Sequence, residues 1–487
     1  MTASPPIVDT LVCNAYVVTM DAARTVFTNG YVAIDKGCIA AVGPMEELAV
    51  AARKTIDARG AVVMPGMANG HNHLIQNIFR GYNDQRWPVL DIPVAVRSLI
   101  TELFAISAVM DDERSYAIVR LHALDMLKSG YTATHDEHFT NVRTDSVDGS
   151  WRAIADSGMR GFVCRCIVNS DKVPQAGHET VDAGLAEVER LMAFDSDRIR
   201  VAAGFVNYSF VEDPEDMRRI CEGARTMGAA FGVDMTDNSR GAGLAARGFH
   251  DGQVAYYAEH GLLDAPIYAG KGVHLQLHEI DLLAQADARL ALVPMLRFFD
   301  GAGLPLHDYF ARGIIPGLGT DAPLVTDCQD PFEVMRMTIL AQNIAVKAQV
   351  AQGGDKPPRD HWATAERVLE MATLGSAAAL FIDDVSGSIA PGKAADILVV
   401  DTGMAEFAHA PERRIGALVW AGRANQVRHV FVGGDHVIAD GESTRWNEAL
   451  VVREGEAAIA AMIRDAGLEG SLPARRPGET FRGWTYR

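Results

Sequence analysis

An α/β fold is what this sequence predicts: a (β/α)8 barrel carrying a small β-domain assembled from both chain ends. Two patterns predict it. Apolar strands alternate with helical stretches through the middle of the chain, and strand-and-turn segments occupy both ends. A third observation places chemistry on this frame. The apolar strand Ala61-Val62-Val63-Met64 runs into a Pro65-Gly66 turn and then presents His71 and His73 one residue apart. Alternate residues at a strand end point to the same side, so both imidazoles can reach one metal ion.

The elements follow in order. Thr10 to Met20, Gly30 to Ile34 and Cys38 to Val42 read as strands, with Gly30 and Gly37 punctuating them as hairpins require. The middle holds helices at Ala117 to Lys128, Glu215 to Met227 and Ile280 to Ala286, between strands at Gly161 to Val168, Ile199 to Val206 and Ile314 to Leu318. The β character returns at Asp396 to Val400, Val427 to Val432 and His436 to Ile438, before a helix at Glu456 to Ala466 and an irregular stretch from Pro473 to Arg487. The expected domains are 1–64 and 382–450 as the two parts of the β-domain, 65–381 as the barrel, and 451–487 as a helix and tail.

Composition narrows the function classes. At 487 residues and 48% hydrophobic, the chain can bury one large core and a smaller one. Its net charge of −18 argues against nucleic acid or an anionic membrane as partner, since either wants a basic face. No early segment joins a basic start to a long apolar run, so neither a signal peptide nor a membrane span is expected. The six cysteines lack finger-like spacing, and Cys164-Arg165-Cys166 reads as strand packing rather than redox chemistry. A cytoplasmic enzyme with a small-molecule substrate is the expectation.

In a barrel, function sits at the C-terminal ends of the strands. The last such end, Ile314 to Pro323, closes on Gly319-Thr320-Asp321, where a carboxylate can bind a metal and take a proton from bound water. His135, Glu137 and His138 follow another strand end. Asn207 and Tyr208 close the strand Val201 to Val206. Gln76 and Trp87 lie downstream of the histidine pair, and Arg297 with Phe298-Phe299 offers a clamp for an anionic or flat group.

These motifs resemble the amidohydrolase superfamily, and within it the cytosine-deaminase-like group that includes triazine hydrolases and 8-oxoguanine deaminase. Pro65-Gly66 before His71-Asn72-His73-Leu74, with Gln76 and Arg80-Gly81 following, is similar to the family's opening motif. Gly130 to Phe139 resembles its Gly-Thr-Thr-Thr strand with a following Asp-His, and Gly317 to Asp321 its closing aspartate. Ala372 to Leu380 and Gly387 to Asp396 resemble signatures that report fold. The resemblance implies a distorted barrel plus a β-sandwich from both termini, commonly in homo-oligomers. It also implies metal-dependent hydrolysis at an sp2 carbon, often deamination or dechlorination of a nitrogen heterocycle.

The resemblance further implies a metal held by the His-X-His pair, a fifth-strand histidine and the eighth-strand aspartate, with a glutamate three residues past that histidine and a sixth-strand histidine steadying the nucleophile. This chain departs from that pattern. Asp234 stands at the ligand histidine and Asp237 at the glutamate. A gapless fit puts Lys271 at the sixth-strand histidine, and a three-residue gap puts His274 there; the gapless fit is favoured. The resulting ligand set of His71, His73, Asp234 and Asp321 is harder than usual and tilts preference from zinc toward iron or manganese. The expected catalytic groups are Asp321, Asp237, Lys271 and Glu137, with Gln76, His138, Asn207, His274 and Arg297 binding substrate. The expected cofactor is one divalent zinc, iron or manganese ion. Two other readings stay open: metal-free acid–base chemistry as a lyase, isomerase or cyclase, and a non-catalytic binding protein.

Overall fold

Two large sheets organise the chain. The computed structural model describes residues 6–81, 92–194, 196–236, 242–264, 266–299, 301–323, 329–408, 411–470, 480–481 and 484–485. Asp237 and Trp87 lie outside the described residues. The first sheet holds β1 (Ile7–Val18), β2 (Val26–Asp35), β3 (Cys38–Pro44), β4 (Ala51–Asp57) and β5 (Val62–Pro65) from the front of the chain. From the far end it takes β14 (Ile397–Val400), β15 (Val427–Val432), β16 (Asp435–Ala439) and β17 (Glu442–Ser443). The halves meet where β5 pairs antiparallel with β14, Val63 opposite Val399. Alternation along these strands sends Val12, Val17, Val32, Val63, Ile397 and Phe431 into a small core of their own.

The second sheet is parallel and runs β6 (Met67–Asn69), β7 (Tyr131–His138), β8 (Arg160–Cys166), β9 (Ile199–Phe205), β10 (Ala230–Asp234), β11 (Ile267–Gly270), β12 (Arg289–Leu292) and β13 (Gly317–Leu318) in spatial as well as chain order. Its ends approach each other. The Gly70 N–H donates to the Leu318 carbonyl at 2.8 Å, and the Asp321 N–H to the His71 carbonyl at 3.0 Å. This is the nearly closed (β/α)8 barrel expected from the alternation.

Helices pack outside it, and their ends carry ordinary chemistry. Asp111 caps the helix Asp112–Ser129 by accepting from the Arg114 N–H, and Gly130 ends it at φ +99°, where a Cβ is disfavoured. β7 begins at the next residue. Asp213 and Pro214 start the helix Pro214–Met227 in the same way.

Two expectations are corrected at the margins. The strand expected over Ile314 to Leu318 is reduced to Gly317–Leu318, because only that pair aligns with β12. Within the Pro473 to Arg487 stretch, read as irregular, Thr480–Phe481 pairs antiparallel with Trp484–Thr485. Cys164 and Cys166 are buried free thiols, 3.8 Å apart. Among the described residues no helix is long and apolar enough to cross a membrane.

Candidate active site

His71 and His73 leave the C-terminal end of β6, where the chain turns into the short 3-10 helix Leu74–Phe79. That turn is held from β7, since the Leu74 N–H donates to Asp136 Oδ1 at 3.0 Å. Both imidazoles are almost completely buried, and their tautomers follow from their partners. The Tyr268 hydroxyl has one proton and gives it to the Gly70 carbonyl at 2.7 Å, which can only accept. His71 Nδ1, 2.8 Å from the same hydroxyl, must therefore be the donor. His73 Nδ1 donates likewise to the Glu137 carbonyl at 3.0 Å. Each ring is left with a bare Nε2.

These bare nitrogens converge on carboxylates. His73 Nε2 lies 3.1 Å from Asp321 Oδ1 and 3.4 Å from Glu137 Oε2, and His71 Nε2 lies 3.9 Å from Asp321 Oδ1. His71 Nε2 and Glu137 Oε2 have no hydrogen-bond partner. Lone pairs packed this closely in a buried space repel unless a proton or a cation sits among them. Among the described residues, two groups have ligand atoms close enough for one ion: His71 with His73 and Asp321, and His71 with Glu137 and Asp234. In the second, the His71 nitrogen that approaches Asp234 is Nδ1, 3.7 Å from Oδ1, and that nitrogen is already donating to Tyr268. His71, His73 and Asp321 are therefore the set whose atoms fit a metal. Asp234, expected as a fourth ligand, falls into the other group.

Lys271 accounts for Asp234. Its Nζ lies 3.0 Å from Asp234 Oδ2 and 3.7 Å from Asp321 Oδ2. Gly270 makes this possible, since a Cβ there would sit 2.2 Å from Asp234 Oδ1 and 3.0 Å from His71 Nδ1. Burial lowers the proton affinity of the Lys271 ammonium, but Asp234, Asp321 and Glu137 outweigh it and hold the pKa above the usual lysine range. Burial pushes the Asp321 carboxyl up, yet Lys271 and His73 outweigh that and keep it well below the usual carboxylate range. Glu137 goes the other way. Burial first, and then the charge of Asp234, raise it well above an ordinary glutamate. Within one cluster, the surroundings lower the proton affinity of Asp321 and raise that of Glu137.

Strand alternation sorts the β7 candidates. Glu137 faces the cluster and His138 does not: its Nδ1 is 3.4 Å from Asp136 Oδ2 and its Nε2 3.1 Å from Ser146 Oγ, on the helix-facing side. The structure thus places His138, expected to bind substrate, against Asp136 and Ser146 rather than in the cluster. Asn207 is committed to backbone, donating to the Thr236 carbonyl at 3.4 Å and accepting from the Ser209 N–H at 2.9 Å. Arg297 Nε donates to the Gly303 carbonyl at 2.8 Å, within its own loop. His274 is exposed three residues beyond Lys271, so the side chain that reaches the carboxylates is Lys271. Gln76 is buried in the turn after His73.

Sequence reasoning gave no role to Tyr268. The signal was available: on β11, Tyr268 and Gly270 share the face that meets His71. His135, singled out only as one of three loop candidates, lies one step inside Glu137. It stacks 4.4 Å from Tyr268 with neither ring nitrogen partnered, and burial lowers its pKa to about 3.

The model of the Amidohydrolase family matches residues 62–437. The chain belongs to the amidohydrolase family. Similar curated proteins include a 5-methylthioadenosine/S-adenosylhomocysteine deaminase of Nitratidesulfovibrio vulgaris, 28% identical, covering 90% of this chain and 94% of the relative. A 5'-deoxyadenosine deaminase of Methanothermobacter thermautotrophicus is 27% identical, covering 84% and 89%. Among solved structures, an adenosine deaminase from Xanthomonas campestris with bound zinc superimposes with a TM-score of 0.80 at 22% identity, covering 94% and 100%. A zinc complex of atrazine chlorohydrolase from Arthrobacter aurescens gives 0.80 at 22%, covering 92% and 100%. This amidohydrolase is a hydrolase by family, and its cluster stands at the strand ends where a barrel enzyme does its chemistry.

Proposed function

We propose that this amidohydrolase is a metal-dependent hydrolase that removes an amino group, or a halide from the same kind of carbon, at an sp2 centre of a small nitrogen heterocycle. The observation that carries this is the convergence of two bare imidazole nitrogens on the ionised Asp321 in a buried space. The names of the relatives, deaminases and a chlorohydrolase, support the reaction class. A zinc, iron or manganese ion held by His71, His73 and Asp321 would supply Lewis acidity and lower the pKa of the attacking water. Asp321 orients that water by accepting its hydrogen bond and passes its proton on, because its own proton affinity is low. Glu137 has the proton affinity to collect the proton and deliver it to the leaving group. Asp237 is the alternative acid. Lys271 faces the negative charge that develops on the ring. A cytoplasmic homo-oligomer completes the reading, and the acidic composition supports action without nucleic acid or an anionic membrane.

A second reading has one observation in its favour: the Lys271 ammonium lies beside Asp234 and Asp321 and offsets part of their negative charge, so acid–base chemistry there does not depend on a metal alone for a cation. Elemental mass spectrometry separates the two, on protein purified without a metal-binding tag. About one equivalent of metal is expected, lost in His71→Ala. Glu137→Gln should keep the metal while turnover, read as ammonia or chloride release from a heterocycle panel, falls by about 10²- to 10⁴-fold. Metal-free protein that turns nothing over when metal is supplied overturns the hydrolase reading.

A further inference from the structure

The backbone that carries Lys271 is strained, and the strain points its side chain. Lys271 has φ +64°, a left-handed value that costs a residue with a Cβ. The Gly272 N–H donates to the Gly270 carbonyl at 2.8 Å, closing a three-residue γ-turn of the rare kind around it. Glycine stands on both sides. Gly270 leaves room for Asp234, and Gly272, at φ +40°, packs against Leu290 with no space for a side chain. The Val293 N–H donates to the Lys271 carbonyl and ties the turn to the next strand end. A turn so constrained is maintained against its conformational cost, and what it does is hold an ammonium against the carboxylates of the cluster.

Lys271 is also the least buried of the side chains it meets. Its side chain is 15% exposed, against 0–4% for His71, His73, Asp234 and Asp321. Three N–H donors radiate from Nζ. Nζ forms an ion pair with Asp234 Oδ2 at 3.0 Å and lies 3.7 Å from Asp321 Oδ2, so N–H donors are left for a substrate that reaches the cluster. A fixed, partly desolvated cation in that place discriminates by charge: a neutral ring gains little from it, and an anionic oxygen gains a charge-assisted hydrogen bond.

We infer that Lys271 is a specificity residue that selects heterocycles bearing an anionic oxygen next to the hydrolysed carbon, either a ring oxyanion or a carboxylate. This rests on the hydrolase reading and names its substrate class, one distinct from neutral aminopurine nucleosides.

The test is titration calorimetry on the protein as isolated, with two matched pairs of ligands. Barbiturate against uracil probes a ring oxyanion; orotate against 6-methyluracil probes a carboxylate. Wild type should bind the anionic member of at least one pair about 10- to 100-fold more tightly, as expected for a charge-assisted hydrogen bond. The pair that shows the preference identifies the source of the oxygen. Lys271→Met should abolish the preference and Lys271→Arg should largely keep it, with circular dichroism and metal content reported for both. Equal binding of both members of both pairs overturns the proposal. So does a preference that survives in Lys271→Met but disappears on chelation, since the metal would then be holding the oxygen. A protein without metal or turnover that still shows the Lys271-dependent preference would fail the hydrolase reading alone.

Discussion

At the scale of single residues, the site depends on one hydroxyl that the sequence did not flag. Tyr268 gives its proton to the Gly70 carbonyl and so fixes which nitrogen of His71 is bare. Partners of this kind, one step behind the ligand, typically change metal affinity by about 10- to 100-fold when removed. Tyr268→Phe is therefore expected to weaken metal binding by that factor, measured by competition with a chromophoric chelator. Two buried groups also lose their partner, which should cost about 1–3 kcal/mol in denaturant unfolding. Unchanged affinity in a folded variant would mean that the tautomer of His71 is set elsewhere. The residues that sequence did reveal were those with a recognisable spacing. His71, His73 and Asp321 stand in motifs, whereas Lys271 and Asp234 became visible only as departures from a pattern. Their pairing depends on the missing Cβ of Gly270, which no spacing rule reports. His138 shows the opposite case. Counting by twos from Glu137 already places it on the outer face, away from the side chains that are its neighbours in sequence.

At the scale of elements, the barrel strands are brought together by glycines facing a thiol. Gly204 on β9 and Gly232 on β10 are register partners. A Cβ on Gly232 would lie 2.5 Å from Cys164 Sγ, and one on Gly204 would lie 2.9 Å from the same sulfur. Cys164 thus fills a niche that two missing side chains create, which agrees with its reading as packing. Gly232→Ala should cost about 1–3 kcal/mol, as overpacking of a dense core does. Cys164→Ala in the same chain should recover much of that loss, giving a coupling energy of about 0.5–3 kcal/mol in a double-mutant cycle of urea unfolding. Additive effects would place the strain outside this contact. Element order and type were largely legible because strand alternation and helix caps are local signals. Strand length at β13 was not, since what ends a strand there is loss of register with β12, a property of two segments rather than one.

At the scale of the whole molecule, the barrel and the terminal sheet share one hydrophobic core, which includes Tyr16, Met64, Leu398 and Val430 from the sheet beside Ile154 and Phe162 from the barrel. Among the described residues, one buried ion pair crosses the same boundary. Arg160, at the start of β8, reaches Asp396 with Nε to Oδ2 at 2.6 Å and Nη2 to Oδ1 at 3.2 Å, and both side chains are under 10% exposed. Asp396 also accepts from the Gly433 N–H, and its carbonyl accepts from the Gly66 N–H at 2.9 Å, five residues before His71. The residue therefore joins β14, the turn between β15 and β16, the barrel floor and the segment leading to His71 and His73. Removing one partner of such a pair strands a buried charge, at about 3–5 kcal/mol. Asp396→Asn should lose stability of that order, and Arg160→Met with Asp396→Leu should lose less than either single change, because no charge is left unpaired. If the two sheets are one cooperative unit, thermal unfolding of Asp396→Asn followed by tryptophan fluorescence and by metal release should give coincident midpoints. Metal release well below the fluorescence transition would show that the barrel mouth opens on its own, and the terminal sheet would then be a passenger rather than a support for the site.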